Sequence, residues 1–317
     1  MALSKATKAL LRLLAKPDIQ VKKNYQFDRK VVNAANYHRI KHPYETMDVE
    51  IAGEHGKIPL RFFFPDAVDG RYPILLFFHG GGWVLGSIDS YNRTCAQMAK
   101  LTRHQVISVD YRLAPEHPFP AAVEDCYAAA QMVMANAGLL GASADQVTLI
   151  GDSAGGNLAA AVSLMMRDRG EYLPRQQILI YPATYNDHSE NSPFASIREN
   201  GTDYILTAKR VRDYLELYSA GRAENLASPY FAPLVADDLK CQPRTLVITA
   251  EFDPLRDEGE AYAARLREYG NDVELHRIAD AIHGFFTLPA RVPPVEESYR
   301  YINAFLAKGS EVSADER

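Results

Sequence analysis

The chain has 317 residues, 47% of them of apolar type, and 40 acids against 35 bases give a formal net charge of −5. That apolar content is ample for a sizeable core, and one α/β domain carrying insertions reaches this length. The slight acidic balance excludes a strongly basic surface for nucleic acid or anionic membrane, and no stretch approaches the ~20 apolar residues of a membrane span.

Near the N-terminus, Leu3, Leu10, Leu11 and Leu14 fall on one helical face, while Lys5, Lys8, Arg12 and Lys16 interrupt the run. A secretory leader needs ~7–15 uninterrupted apolar residues. The spacing therefore predicts a helix packed on the body. Strands are predicted near Asp48–Ile51, Pro59–Phe64, Ile74–Phe78, Val106–Asp110, Val147–Ile150, Gln177–Tyr181, Leu246–Thr249 and Val273–Arg277. Helices are predicted near Tyr91–Leu101, Ala121–Asn136, Gly156–Arg169, Lys209–Tyr218, Glu258–Tyr269 and Val295–Leu306. The first two strands adjoin without a helix, which predicts an antiparallel start. From Ile74 onward strands and helices alternate, the pattern of a mostly parallel sheet with helices on both faces.

Three glycines, Gly80-Gly81-Gly82, follow the apolar run ending at Phe78. Backbone amides there are unshielded by side chains and can converge on a developing oxyanion. Alone, such a run is also a plain flexible turn. Further on, Val147–Ile150 leads into Gly151-Asp152-Ser153-Ala154-Gly155-Gly156 and then an alanine-rich helical segment. A serine flanked by glycines two before and two after, at a strand-to-helix turn, fits a nucleophile elbow, with the amide of Ala154 as a further oxyanion donor. The same short pattern also fits a helix start with a serine near its N-cap. Its company favours the elbow.

Residues Ala183–Ala227 interrupt the alternation, polar at first and helical from Thr207, a candidate cap. An insertion there shares the rim of Ser153, where ligands of open α/β sheets bind. Downstream, Asp253 follows the strand ending near Ala250, and His283 follows the last strand. Ser153, Asp253 and His283 stand in the chain order of an α/β-hydrolase triad. In that reading neutral His283 takes the serine proton and Asp253 fixes its tautomer. Asp257 is read as a charge at a helix N-terminus. His276 is read as sheet-surface packing. Cys95, Cys126 and Cys241 are widely spaced, which fits reduced thiols in a cytoplasm, with Cys126 and Cys241 read as core fillers. No Gly-x-Gly-x-x-Gly, no Gly-Lys-Ser/Thr and no His/Cys cluster of metal spacing occurs, so neither cofactor nor metal is expected.

His79–Trp83, Asp110–Glu116, Gly151–Gly156, Asp253–Gly259 and Ile282–Phe285 together resemble the hormone-sensitive-lipase family of esterases, from about position 50 to about 306. The Gly-Asp-Ser-Ala-Gly elbow resembles its bacterial carboxylesterase branch. The resemblance implies an α/β-hydrolase fold whose catalytic domain comprises residues 46–182 and 226–317. Residues 1–45 and the insertion 183–225 would form a helical cap. It implies a serine carboxylic-ester hydrolase using Ser153, Asp253 and His283, with Gly81, Gly82 and Ala154 as the oxyanion hole. It also implies that His79 shapes that loop and that Tyr111–Glu116 braces it. Small or medium acyl esters are the expected substrates, with Tyr204, Tyr214 and Tyr218 narrowing the acyl site. Two alternatives stay open at this point: an acyltransferase, and a non-hydrolytic binding protein of the same fold, in which the triad histidine is replaced. A homodimer is expected from the general frequency of such assemblies.

Overall fold

The side chains of β3 (Ile74–Phe78) are all fully buried, and they divide between two cores. Ile74, Leu76 and Phe78 join one cluster, Leu75 and Phe77 the other. Successive strand residues point to opposite faces, so a continuous apolar run means a strand covered on both sides. The computed structural model describes residues 21–36, 46–66 and 70–315. The helical face expected over Leu3–Leu14 lies outside them.

The sheet has eight strands: β1 (Thr46–Gly53), β2 (Gly56–Phe63), β3, β4 (Gln105–Val109), β5 (Val147–Asp152), β6 (Gln176–Ile180), β7 (Arg244–Phe252) and β8 (Val273–Ile282). They run in the order β1-β2-β4-β3-β5-β6-β7-β8. Pairing is antiparallel from β1 to β2 and β2 to β4, then parallel throughout. This is the α/β-hydrolase arrangement that the sequence predicted. The last two strands outrun their predicted ends, because β7 and β8 keep pairing past a register slip between Ala250 and Phe252. That extension delivers Asp253 and His283 to the same rim.

Nine described α-helices and four short 3₁₀ turns accompany the sheet. The α-helices are α1 (Val21–Asn36), α2 (Asn92–Thr102), α3 (Ala121–Ala135), α4 (Ala154–Asp168), α5 (Ala195–Asn200), α6 (Ala208–Ser219), α7 (Ala223–Leu226), α8 (Arg256–Glu268) and α9 (Pro293–Asp315); the 3₁₀ turns are Asp89–Tyr91, Ala144–Gln146, Pro233–Val235 and Phe285–Thr287. Residues of α3, α4 and α8 fill one core, and residues of α2 and α9 fill the other. Thr207 caps α6 as its sequence suggests, accepting the Arg210 amide at 3.2 Å. Helix α1 was not foreseen as a separate element. It packs beside α6, where Lys22 pairs with Glu216. Cys126 is buried as expected, but Cys241 is exposed. It sits in the turn just before β7 with φ of 54°.

Candidate active site

The elbow is made by contacts that leave no space for side chains. A Cβ on Gly155 would lie 1.9 Å from the carbonyl oxygen of Phe78, and one on Gly151 would lie 2.2 Å from that of Gly155. Only glycine permits this approach. Between them Ser153 takes φ 56° and ψ −118°, a conformation that costs a non-glycine residue on the order of 1–3 kcal/mol. Surrounding hydrogen bonds impose it. The Ser153 amide donates to Ile180 O at 2.8 Å, and its carbonyl accepts the Asn157 and Ala183 amides at 3.0 and 3.3 Å. The hydroxyl therefore stands at the pocket floor, where α4 begins.

His283 follows β8 directly. Its Nε2 lies 2.9 Å from Ser153 Oγ, and its Nδ1 lies 2.7 Å from Asp253 Oδ2. Asp253 is fully buried, and its other oxygen accepts the Leu255 amide at 2.8 Å. A carboxylate so held fixes which imidazole nitrogen carries the proton, leaving Nε2 to accept from the hydroxyl. The competing groups lie elsewhere. His276 stacks on Tyr301 with ring centres 3.7 Å apart. Asp257 accepts the Ser196 amide at 2.7 Å in the first turn of α8.

Gly81, Gly82 and Ala154 line the pocket beside Ser153. The glycine loop is fixed from several sides. The Gly81 carbonyl accepts the amides of Val84 and Leu85 at 3.2 and 2.8 Å. Gly82 has φ of 61°, and a Cβ there would meet the Tyr214 ring at 2.5 Å. Tyr111 Oη donates to the His79 carbonyl at 2.6 Å, and the Ala114 amide donates to Trp83 O at 2.9 Å. These are the bracing contacts expected of the 111–116 stretch. His79 is fully buried and stacks on Tyr111, and burial lowers its pKa. Its ring does not line the pocket, in keeping with a loop-shaping role.

Two braces escaped sequence reasoning. Arg29 of α1 reaches the loop, donating through Nε to Val84 O at 2.9 Å and through Nη2 to Ala114 O at 3.0 Å. It also forks onto Glu116. Asp152, the residue before Ser153, is buried and accepts the Gly80 amide at 2.8 Å on one oxygen. Its other oxygen accepts the hydroxyls of Tyr91 at 3.0 Å and Tyr181 at 3.3 Å. Burial pushes its carboxyl up to about 6 against the lowering effect of those donors. The signal for Asp152 was its seat inside the elbow motif, but a sequence does not say that this seat is dry.

Above Ser153 lies a cavity of about 290 Å³. Its walls include Val32 of α1, Ile205 and Leu206, and Arg210, Val211 and Tyr214 of α6. Of the three tyrosines expected to narrow it, only Tyr214 reaches the wall. Tyr218 stacks on Trp83 at 4.5 Å, and Tyr204 stacks on Phe252. Among the described residues no group of His, Cys, Asp or Glu is placed to hold a metal, and no helix is long and apolar enough to cross a membrane.

Comparison with known proteins agrees with this architecture. Residues 75–287 match the alpha/beta hydrolase fold family. The chain is 40% identical over 249 residues to the carboxylic ester hydrolase LipN of Mycobacterium tuberculosis, covering 77% of this chain and 65% of that one. It is 39% identical over 246 residues to an arylesterase of Saccharolobus solfataricus, covering 77% of this chain and 78% of that one. In three dimensions it superposes on a hyperthermophilic esterase from the archaeon Pyrobaculum calidifontis with a TM-score of 0.84. The identity there is 38%, over 98% of this chain and 99% of the other. By fold, sequence and the order of its motifs, the chain belongs to the hormone-sensitive-lipase-like esterase family of the alpha/beta hydrolase fold.

Proposed function

We propose that this esterase cleaves short- to medium-chain acyl esters through an acyl-enzyme on Ser153. His283 removes the hydroxyl proton as Oγ attacks the ester carbonyl, then gives it to the departing alcohol. Asp253 orients the ring and stabilises the imidazolium. The amides of Gly81, Gly82 and Ala154 receive the oxyanion. Water, activated by the same histidine, releases the acid. The single observation that carries this reading is the unbroken hydrogen-bonded line Asp253–His283–Ser153, at 2.7 and 2.9 Å.

The pocket supports the substrate range. Its volume, its apolar walls and the Tyr214 ring against Gly82 suit a compact acyl group better than a long chain. We read α1 together with residues 183–225 as the cap, since both supply its walls and meet through the Lys22–Glu216 pair. Three unpaired cysteines fit a reducing cytoplasm. A homodimer is the assembly to test by light scattering.

A p-nitrophenyl ester series from acetate to palmitate tests the reading, with Ser153→Ala as control. The expected result is turnover that peaks at the short acyl chains and vanishes in the variant. Full activity in Ser153→Ala, or a preference for the longest chains, overturns it. Release of acyl product only when an alcohol is added would reassign the protein as an acyltransferase.

A further inference from the structure

A buried carboxylate is costly unless a cation or several donors compensate it. The three donors to Asp152, from Gly80, Tyr91 and Tyr181, are all neutral. On the same pocket wall stands the imidazole of His283, the group that gains positive charge in the proposed reaction. The two are joined through Tyr181, whose hydroxyl binds Asp152 while its ring packs against the His283 ring at 4.8 Å. Both residues line the pocket. Other titratable groups around Asp152 are Tyr111 and Cys95 on its inner side, both neutral. On the far side of His283 stands Asp253.

We infer that Asp152 is a positioning residue with two tasks: it supplies a second anion for the His283 imidazolium, and it ties the oxyanion loop to the nucleophile elbow. The inference rests on the reading of His283 as the general base. The second task follows from the Gly80 amide, which fixes the start of the glycine loop against the residue preceding Ser153. The first follows from the order of events in catalysis. Positive charge appears on His283 only as the serine proton leaves, and an anion already in place needs no reorganisation at that moment. Burial holds the carboxyl near 6, so the anion is present around neutral pH and is lost on acidification.

Two substitutions separate the tasks. Asp152→Asn keeps an oxygen for the Gly80 amide and removes the charge, whereas Asp152→Ala removes both. Rates are counted per active site titrated with a p-nitrophenyl phosphonate, so that misfolded protein does not enter. Without its second anion His283 releases its proton more readily. The acid limb of the kcat/KM profile is therefore expected to move down by about half a pH unit or more in Asp152→Asn. Its kcat is expected to fall roughly tenfold for each pKa unit of imidazolium stabilisation lost, with KM nearly unchanged. Asp152→Ala is expected to lose a further factor as the loop loosens.

Tyr181→Phe is the second probe. It keeps the ring but takes one donor from the carboxylate, so Asp152 holds its proton to higher pH and is less often an anion, and the acid limb is expected to move down by less than in Asp152→Asn. Acid limbs that stay at the wild-type position in both Asp152→Asn and Tyr181→Phe overturn the second-anion role. If Asp152→Asn does not fold, Tyr181→Phe alone decides. Turnover persisting in Ser153→Ala overturns the triad reading itself. A dead Ser153→Ala with unmoved limbs in the other variants overturns only this inference.

Discussion

Two carboxylate–histidine pairs flank the start of α8, and only one of them reaches the pocket. Asp253 holds His283 at 2.7 Å, and the histidine side chain keeps 12% of its surface. Glu258 holds His188 at 2.5 Å with both side chains fully buried. The residue types of the two pairs are alike, but only His283 is hydrogen-bonded through both ring nitrogens, and neither nitrogen of His188 makes a hydrogen bond. His283 presents its second nitrogen to a hydroxyl at the floor of a cavity. His188 lies sealed at the base of the 183–225 insertion, where Glu258 also accepts the amides of Thr184 and Tyr185 at 2.7 and 3.1 Å. An acid beside a histidine is thus sealed in one place and opens onto a hydroxyl in the other. The distinction is the strained turn that lifts Ser153 to meet the free nitrogen.

The largest effects belong to the open pair. Ser153→Ala and His283→Ala are each expected to lower kcat by roughly 10⁴–10⁶-fold, and Asp253→Asn by about 10⁴, as in other serine triads. Steady-state rates on p-nitrophenyl butyrate check this. The same changes in the sealed pair should leave the rate per titrated site within about threefold while striking stability instead. Removing Glu258 leaves the Thr184 and Tyr185 amides without their acceptor in a dry site, so Glu258→Ala is expected to cost about 1–3 kcal/mol in urea unfolding. If Glu258→Ala lowers kcat as severely as Asp253→Asn without loss of stability, the two pairs are not different in kind.

Next in size is the glycine loop beside the open pair, the proposed oxyanion hole, which has no counterpart beside the sealed pair. Gly82→Ala drives a methyl group into Tyr214 at a positive φ, and a displaced donor typically costs ~10²–10³ in kcat. Adding Tyr214→Ala should recover part of that loss, because the methyl group gains space though not its preferred backbone angle.

The smallest expected effects sharpen the comparison from the side of the unpaired anion. Asp152 has a folded-state pKa raised from 3.8 to about 6. Between those values the native chain binds the extra proton, so the site's contribution to stability falls as pH rises through the window. The accumulated penalty at neutral pH is about 2–3 kcal/mol at most. Asp152→Asn should accordingly match or exceed the wild type in thermal stability at pH 7, and the gap should close toward pH 4. His276→Gln, which disturbs only a half-exposed stack on Tyr301, should change stability by less than about 1 kcal/mol and leave kcat alone.

Much of this molecule is legible in one dimension because the sheet is buried on both faces. Runs such as Ile74–Phe78 and Val147–Ile150 carry an unambiguous strand signal, and the glycines at 151 and 155 are forced by backbone packing. The line from Asp253 through His283 to Ser153 was readable from residue type, order and position after strands. What escaped is set by long-range packing. Nothing local in the sequence says that Arg29 reaches Val84, that Asp152 is dry, or that Cys241 surfaces at a turn. The three cap tyrosines show the same limit. Their place near the insertion was visible, but which one faced the cavity depended on packing: Tyr218 stacks on Trp83 and Tyr204 on Phe252, which leaves Tyr214 at the wall.

Arg29 has a practical consequence for anyone trimming this protein. The stretch shared with the wider fold family begins at residue 75, well after the guanidinium that grips the carbonyls of Val84 and Ala114. A version shortened only by residues 1–45 would retain the whole sheet, α9, Ser153, Asp253 and His283, yet it would leave two peptide oxygens ungripped behind the glycines. Such a miniature enzyme should still become labelled by a phosphonate, only slowly, as a latch whose spring has been taken out.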